Sequence, residues 1–341
     1  MEKAQKNTIK NWIEISMQLL RKPVYWGPLL ITLLCAYGFF ITHYAVGIDD
    51  TAMRRYFIEG LAPAQGRWVI FLVNKIIPLI YFTPFLTDFL GVLFLTVFAV
   101  LFCGLWQMLS EGRMKSWMLA IVACLIVSSP ITSEVFVYYL HNGVGIGYVL
   151  TLMAVFLLFR TREQGLFTKE VVKDLFYAAG LLTIALGLYE SFEVAFGILA
   201  AGILLLELWY HPGELSGRQF WAYFVRLVLI MGAAMLLRVL IVNGIIGIWG
   251  FEKGQTRSLY LGWIFNSGAG ATIRSYLQYI VLLFGLNGIF YVGVRFYLLS
   301  ACFLLVVFLI YSVRKKDRKV LLSMLFVEFM PWTLVLVTGK V

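Results

Sequence analysis

The feature that most constrains this fold is a series of long apolar segments separated by short polar ones. A helix needs about 20 apolar residues to cross roughly 30 Å of hydrocarbon. The chain is 61% hydrophobic and only 13% charged, whereas soluble domains are about one quarter charged. The sequence therefore predicts an integral membrane protein. The apolar segments predict nine membrane-spanning helices, near 24–46, 86–110, 117–133, 142–160, 174–190, 192–210, 219–241, 289–311 and 320–338.

Two further apolar segments, 68–83 and 275–288, are interrupted by residues such as Lys75, Pro78 and Gly285. Irregular backbone at membrane depth must be buried in protein or meet water. We therefore expect interfacial or re-entrant helices in these two segments. The first apolar segment is longer than the apolar part of a signal peptide, so we expect it to be retained as a span.

The basic residues predict how the spans are oriented. Cytoplasmic connections of membrane proteins carry an excess of Lys and Arg. With the N-terminus in the cytoplasm, most of the 28 basic residues fall in inner connections. This distribution also explains the net charge of +10 without a nucleic-acid partner. The predicted fold is an all-α polytopic membrane protein forming one domain, 1–341, with a first outer loop at 47–85 and a long outer loop at 242–288.

Adjacent carboxylates follow the first span at Asp49 and Asp50, and basic residues come soon after them at Arg54, Arg55 and Arg67. Carboxylates beside a bilayer are costly unless they are hydrated, paired or functional. Asp50 and Arg54 have the spacing of a helical ion pair. One interpretation is chemistry on an anionic, lipid-linked substrate. The other is that the acids cap a short surface helix while the arginines contact lipid headgroups.

Three further acids are expected at the outer membrane edge. Glu134 follows Pro130, which ends a helix early and presents polar groups at membrane depth. Glu190 and Glu193 interrupt an otherwise apolar stretch between two spans. Intramembrane acids are functional by default, and the alternative is a tight turn that places both glutamates in outer water.

The long outer loop carries Arg257 and Arg274, which are candidate phosphate ligands or contacts to headgroups. Arg238 lies within an apolar span, and we expect it to extend its charge outward. The four cysteines lie in apolar segments without paired spacing, so they are interpreted as core residues. The chain contains neither a zinc-binding His-Glu-x-x-His motif nor a nucleotide-binding Gly-x-x-x-x-Gly-Lys-Ser/Thr loop.

Three motifs resemble the first outer loop of the membrane glucosyltransferases that modify O-antigen and related surface polysaccharides. They are Gly47-Ile48-Asp49-Asp50, Arg54-Arg55 and Gly66-Arg67-Trp68. Tyr189-Glu190-Ser191 is similar to a Tyr-Gln-Ser run of the same family, with Glu in place of Gln. The family belongs to the GT-C superfamily. Its members are often longer, so we expect a short member or a part of a longer protein.

The resemblance implies transfer of a hexose, glucose in this family, from a polyprenyl-phosphate donor to a glycan outside a bacterial-type plasma membrane. It also implies a separate enzyme that loads the lipid donor, together with a flippase. The lipid phosphate is already an adequate leaving group, so the enzyme chiefly needs a base and cations. We expect Asp49 to be the base and Asp50 to be its orienting partner or an alternate base. The expected substrate-binding residues are Arg54, Arg55, Arg67, Glu134, Glu190, Arg257 and Arg274.

No cofactor is required by the sequence, and a bridging divalent metal is compatible with the acids. The main alternative is a transporter or flippase for an anionic lipid-linked sugar, in which acids and arginines line a path and no bond is made. Internal inverted repeats would favour that alternative, and none is evident.

Overall fold

The computed structural model of the chain describes residues 8–43, 60–76, 84–129, 144–164, 167–251, 270, 274, 294–315 and 317–338. All regular secondary structure within these ranges is helical. The helices are α1 (Ile9–Leu20), α2 (Pro23–Thr42), α3 (Leu61–Ala64), α4 (Trp68–Ile76), α5 (Pro84–Leu109), α6 (Ser116–Val127), α7 (Val144–Arg160), α8 (Lys169–Leu188), α9 (Phe192–Tyr210), α10 (Gly217–Trp249), α11 (Val294–Lys315) and α12 (Arg318–Thr338).

Several of these helices are long and apolar enough to cross a membrane. Among the described residues, four satisfy both criteria: α8, α9, α10 and the Asp88–Leu109 part of α5. Shorter apolar helices occur at Pro23–Phe39, Ser116–Val127 and Gly145–Arg160. Each of the nine predicted spans overlaps one of the observed helices, and the count of nine crossings stays a prediction. The helical class of the protein is thus confirmed, as is its capacity to span a membrane.

Two of the predicted boundaries differ from the structure by the largest margins. Helix α10 continues to Trp249, beyond the expected end at residue 241, because no proline lies between residue 241 and Gly250. Gly250 adopts φ +66 and ends the helix in the left-handed conformation. Helix α6 ends at Val127 and has 12 residues, about 18 Å. At its end the Ser128 hydroxyl donates to the carbonyl of Cys124 at 2.7 Å.

Helix α1 is an additional element that precedes the first predicted span. The Thr8 side chain caps it by accepting a hydrogen bond from Asn11 N. Trp12 anchors it to the bundle, because its Nε1 donates to the carbonyl of Leu101 at 2.8 Å and its ring stacks on Phe156 at 4.5 Å. The N-terminal segment is therefore folded against α5 and α7.

The centre of the bundle is formed by α7 and α9. Helix α7 packs against α5, α8 and α9, and α9 also packs against α12. The connections after α5, α7 and α9 meet at one end, which we call the Arg162 end, because His211 contacts the carbonyl of Leu109 and Arg162 pairs with Glu207. The connection after α8 and the segment before α4 meet at the opposite end, which we call the Glu190 end. The candidate residues that the structure describes in detail lie at the Glu190 end.

Candidate functional site

The one-turn helix α3 and its flanking residues form a compact segment, Gly60–Arg67, that leads into α4 at the Glu190 end. We call this segment the Gly60–Arg67 turn. Two backbone hydrogen bonds close it: Gly66 N donates to the carbonyl of Pro63 and Arg67 N to that of Ala62, both at 2.8 Å. Gly66 has φ +82, a conformation that glycine adopts without a Cβ penalty. The turn thus fixes the backbone of Arg67 immediately before α4.

Arg67 is a buried cation, with 7% of its surface exposed. Its Cζ lies 4.6 Å from the centre of the Tyr189 ring, and its Nε lies 3.7 Å from a carboxylate oxygen of Glu190. This is an ion-pair distance, longer than a hydrogen bond. The aromatic face and the carboxylate offset the cost of burying the charge. The protein therefore holds a guanidinium, a group suited to phosphate recognition, in one place.

Glu190 lies in the short connection between α8 and α9. Tyr189 N donates to the carbonyl of Ala185 at 3.0 Å, and Glu193 N donates to the carbonyl of Glu190 at 3.2 Å. The side chain of Glu190 is 12% exposed, and Glu193 is 5% exposed. The interpretation that a tight turn simply places both glutamates in water is therefore wrong. Both carboxylates are directed into the protein.

Arg238 contributes a second buried guanidinium, from α10. Its Nε donates to the carbonyl of Gly66 at 3.3 Å, and its Nη2 donates to the carbonyl of Gln65 at 3.2 Å. Its positive charge also acts on the carboxylate of Glu193. The expectation that Arg238 extends outward is thus wrong, because the turn before α4 offers it backbone acceptors inside the protein.

Trp68 packs α4 closely against α8. A Cβ placed on Gly187 of α8 would overlap the indole ring of Trp68, so only glycine permits this close approach of the two helices. Within the described ranges, the buried indole Nε1 of Trp68 has no hydrogen-bond partner. An N–H donor is thus present on the residue that follows Arg67.

The structure brings together two of the predicted site residues, Arg67 and Glu190. Arg274 is described as an exposed helical residue. The other predicted site residues lie outside the described residues: Asp49, Asp50, Arg54, Arg55, Glu134 and Arg257.

Sequence reasoning did not assign Arg238 or Tyr189 to the site. An arginine inside an apolar span was the available signal for Arg238, because such charges usually face the protein interior. No local signal indicates that the Tyr189 ring would face Arg67, which is more than a hundred residues away along the chain.

A second polar region occupies the Arg162 end. There a cavity of about 480 Å³ is lined by residues that include Asn11, Gln107 and His211. Arg162 and Glu207 also line it, and they form a buried ion pair at 2.9 Å that links the end of α7 to α9. Because the pair is satisfied and joins two central helices, we interpret it as structural.

The described residues contain no group of three or more His, Cys, Asp or Glu side chains that could hold a metal ion. Asp49, Asp50 and Glu134 do not belong to that part of the chain. The expectation that a divalent metal is compatible with the acids therefore stays a prediction.

Comparison with known proteins identifies the family. The family model described as glucosyl transferase GtrII matches residues 38–338. No match to a curated protein or to a solved structure is found. The matched region includes the Gly60–Arg67 turn, Glu190 and Arg238, and it covers most of the chain. The chain therefore belongs to the GtrII family of glucosyl transferases.

Proposed function

We propose that this glucosyltransferase moves a hexose, glucose by its family, from a polyprenyl-phosphate donor to a glycan acceptor on the outer face of the membrane. The observation that carries the proposal is the buried guanidinium of Arg67 beside Glu190. Helix α8 has 20 residues, about 30 Å, and ends at Leu188, two residues before Glu190. That depth matches a bilayer surface, which is where the phosphate of a lipid-linked sugar lies.

The proposed reaction is a single displacement at the anomeric carbon. The acceptor hydroxyl oxygen bonds to the anomeric carbon as the bond from that carbon to the phosphate oxygen breaks. The hydroxyl proton goes to the carboxylate of Asp49, and the electron pair of the broken bond goes to the lipid phosphate. Attack opposite the leaving group inverts the anomeric configuration. Asp50 orients Asp49 or replaces it as the base.

Negative charge develops on the departing phosphate, so preorganised cations lower the barrier. Arg67 is the proposed cation at the Glu190 end, and Arg54, Arg55, Arg257 and Arg274 are the further candidates. Glu190 neutralises Arg67 in the absence of substrate. The donor phosphate is a second anion for the same guanidinium, and its arrival weakens the Arg67–Glu190 contact. Glu134 is proposed to contact the acceptor.

The proposed partners follow from the same chemistry. A lipid-linked donor must be made from an activated sugar, and the sequence has no nucleotide-binding phosphate loop. A separate synthase that loads the lipid and a flippase that delivers it are therefore proposed. The protein itself is proposed to be a multi-pass component of the bacterial-type plasma membrane. A divalent metal at the acids remains compatible with this mechanism.

The proposal is tested with membranes that contain the parent protein or Asp49→Asn at matched expression. Radiolabelled polyprenyl-phosphate glucose is supplied, and incorporation into surface polysaccharide is measured. Asn keeps the size of the side chain but cannot accept the proton. We expect transfer by the parent and a loss of about 10²- to 10⁴-fold in Asp49→Asn. Glu14→Gln, which alters an exposed acid on α1, is the control and should retain transfer.

Equal transfer by the parent and Asp49→Asn would remove Asp49 as the base and direct the search to Asp50 and Glu134. Absence of transfer by the parent with any lipid-linked sugar would overturn the donor assignment. Movement of labelled donor across sealed vesicles without incorporation into glycan would instead support the transporter. The three outcomes are distinguishable because the parent labels glycan in the first and does not in the second, whereas the third appears as movement of the donor itself.

A further inference from the structure

Arg238 is a charged side chain in the interior of a long apolar helix. Helix α10 runs from Gly217 to Trp249, so Arg238 lies roughly 32 Å from its start. That length is close to the thickness of the hydrocarbon core. Arg238 is 5% exposed. A buried charge at this position needs partners within the protein.

Two partners of Arg238 are carbonyl groups of the Gly60–Arg67 turn. The guanidinium donates to the carbonyls of Gly66 and Gln65 through two different nitrogens. Two contacts from a planar group restrict both the position and the orientation of the turn. The carbonyl of Gly66 belongs to the peptide bond whose N–H is on Arg67. Any displacement of that peptide therefore moves Arg67 directly.

Gly66 and Arg238 are also matched in shape. A Cβ at Gly66 would overlap the guanidinium of Arg238. The left-handed backbone of Gly66 would itself be strained with any other residue. The turn and the guanidinium thus occupy complementary space, and glycine is required at their contact.

We propose that Arg238 is a positioning residue that fixes the Gly60–Arg67 turn and so presents Arg67 to the donor phosphate. This inference rests on the proposed function, in which Arg67 stabilises the leaving group. Arg238 does not touch the reacting atoms. Its effect passes through the peptide between Gly66 and Arg67, and it is largest in the transition state, where the position of Arg67 matters most.

The chain offers a matched control in Arg226, another buried arginine on α10. Its Nη1 donates to the carbonyl of Thr161 at 2.6 Å and its Nη2 to the carbonyl of Gln164 at 2.9 Å. It therefore binds the carbonyls of a turn as Arg238 does, but at the Arg162 end. Substitution of Arg226 perturbs the same helix by the same kind of interaction, away from the proposed site.

The test compares Arg238→Gln, Arg238→Lys and Arg226→Lys as purified proteins in detergent, with thermal unfolding measured alongside donor and acceptor kinetics. We expect kcat to fall about 10- to 100-fold in Arg238→Gln, with the KM for the acceptor unchanged. Arg238→Lys should recover part of kcat, because Lys can contact one carbonyl. Arg226→Lys should lower the unfolding temperature while kcat stays at the parent value.

A double-mutant cycle with Arg67→Gln separates positioning from an independent role. If Arg238 acts through Arg67, adding Arg238→Gln to Arg67→Gln should lower kcat by less than about twofold. If the double variant lost kcat by the product of the two single-variant losses, the inference would be overturned. A parent-like kcat in folded Arg238→Gln would overturn it too. A parent protein without transfer activity would instead overturn the proposed function, so the two failures are distinct.

Discussion

At the residue scale, the central observation is a pair of opposite charges placed almost out of reach of solvent. Arg67 and Glu190 come from distant parts of the chain, and Tyr189 provides the aromatic face against which the guanidinium lies. Desolvating an ion pair is unfavourable unless the contacts within the protein compensate. The pair at 3.7 Å lacks hydrogen-bond geometry. An incoming phosphate can therefore compete with the carboxylate for Arg67.

Glu190→Gln tests this competition. Without the carboxylate, the donor phosphate has one competing anion fewer at Arg67, so the KM for the donor should fall roughly tenfold, about 1.4 kcal/mol. Folding stability should fall by roughly 1–3 kcal/mol, because a buried charge loses one of its partners. Both are measured on the purified protein, by donor titration and by thermal unfolding.

The matched control for Glu190→Gln is Glu111→Gln, because Glu111 pairs with Arg113 at 3.5 Å in an exposed position at the opposite end. Exposed ion pairs contribute little to folding stability, so neither the KM for the donor nor the stability should change in this variant. A rise in the donor KM in Glu190→Gln would instead assign Glu190 to direct substrate binding.

At the element scale, the site depends on how short segments between helices are held. The Gly60–Arg67 turn is fixed from two directions, since Arg238 binds its carbonyls and Phe251 covers Gly60. Phe71 on α4 meets Phe251 and Trp249 in edge-to-face contacts at 5.5 Å. The end of α10 thus packs against the start of α4. Long-range packing, more than local propensity, holds the segment that carries Arg67.

Three glycines allow the contributions of backbone conformation and of side-chain packing to stability to be separated. Gly60, Gly66 and Gly213 all have positive φ, at +81, +82 and +87. Open space surrounds Gly213, whereas a Cβ would overlap Phe251 at Gly60 and Arg238 at Gly66. The free energy of unfolding of Gly213→Ala should therefore fall only by the cost of a left-handed backbone for alanine, about 1–2 kcal/mol, and sugar transfer should be retained. Gly60→Ala and Gly66→Ala should lose more stability, as measured by thermal unfolding.

Gly66→Ala should also reduce transfer more strongly than Gly60→Ala at equal amounts of folded protein, because it displaces Arg238 itself. If all three alanine variants lost the same stability, packing of the turn against α10 would make no contribution to the stability of the protein. If Gly66→Ala transferred sugar like the parent, the turn would not control Arg67.

At the scale of the whole molecule, the two ends of the bundle differ in charge. The connections after α5, α7 and α9 bring many basic residues to the Arg162 end, where Arg160 pairs with Asp174 and Arg162 with Glu207. Cytoplasmic sides of membrane proteins are enriched in such residues. This distribution favours a cytoplasmic Arg162 end and an outer Glu190 end.

Cysteine labelling tests this orientation. In a variant lacking Cys35, Cys103, Cys124 and Cys302, single cysteines replace Glu214 at the Arg162 end and His43 just after α2 at the opposite end, both of which are exposed. A membrane-impermeant thiol reagent on right-side-out vesicles should label His43→Cys and leave Glu214→Cys unlabelled. Inverted vesicles should give the opposite pattern. Labelling of Glu214→Cys from outside would reverse the orientation and move the proposed site to the cytoplasm.

Hydropathy by itself located the long apolar helices that the structure describes, because each span must satisfy its own backbone hydrogen bonds in lipid and needs a local apolar run. Motifs in the first outer loop also predicted the glucosyltransferase family, which the family match confirms. Helix ends were less predictable: α10 extends past residue 241 and α6 stops at Val127. Those ends depend on caps and packing that hydropathy does not include.

The composition of the site was decided by tertiary structure. More than forty residues of sequence separate Arg67 from Glu190 and Glu190 from Arg238. No local pattern indicates which of these side chains contact each other. Their burial is also a property of the packed bundle, since Arg238 would extend toward water if the Gly60–Arg67 turn did not offer it carbonyl groups. Residue types along the chain determined where charge lies near the membrane. Packing of the helices determined which charge faces which partner, because pairing in a dry interior requires that the groups meet in space.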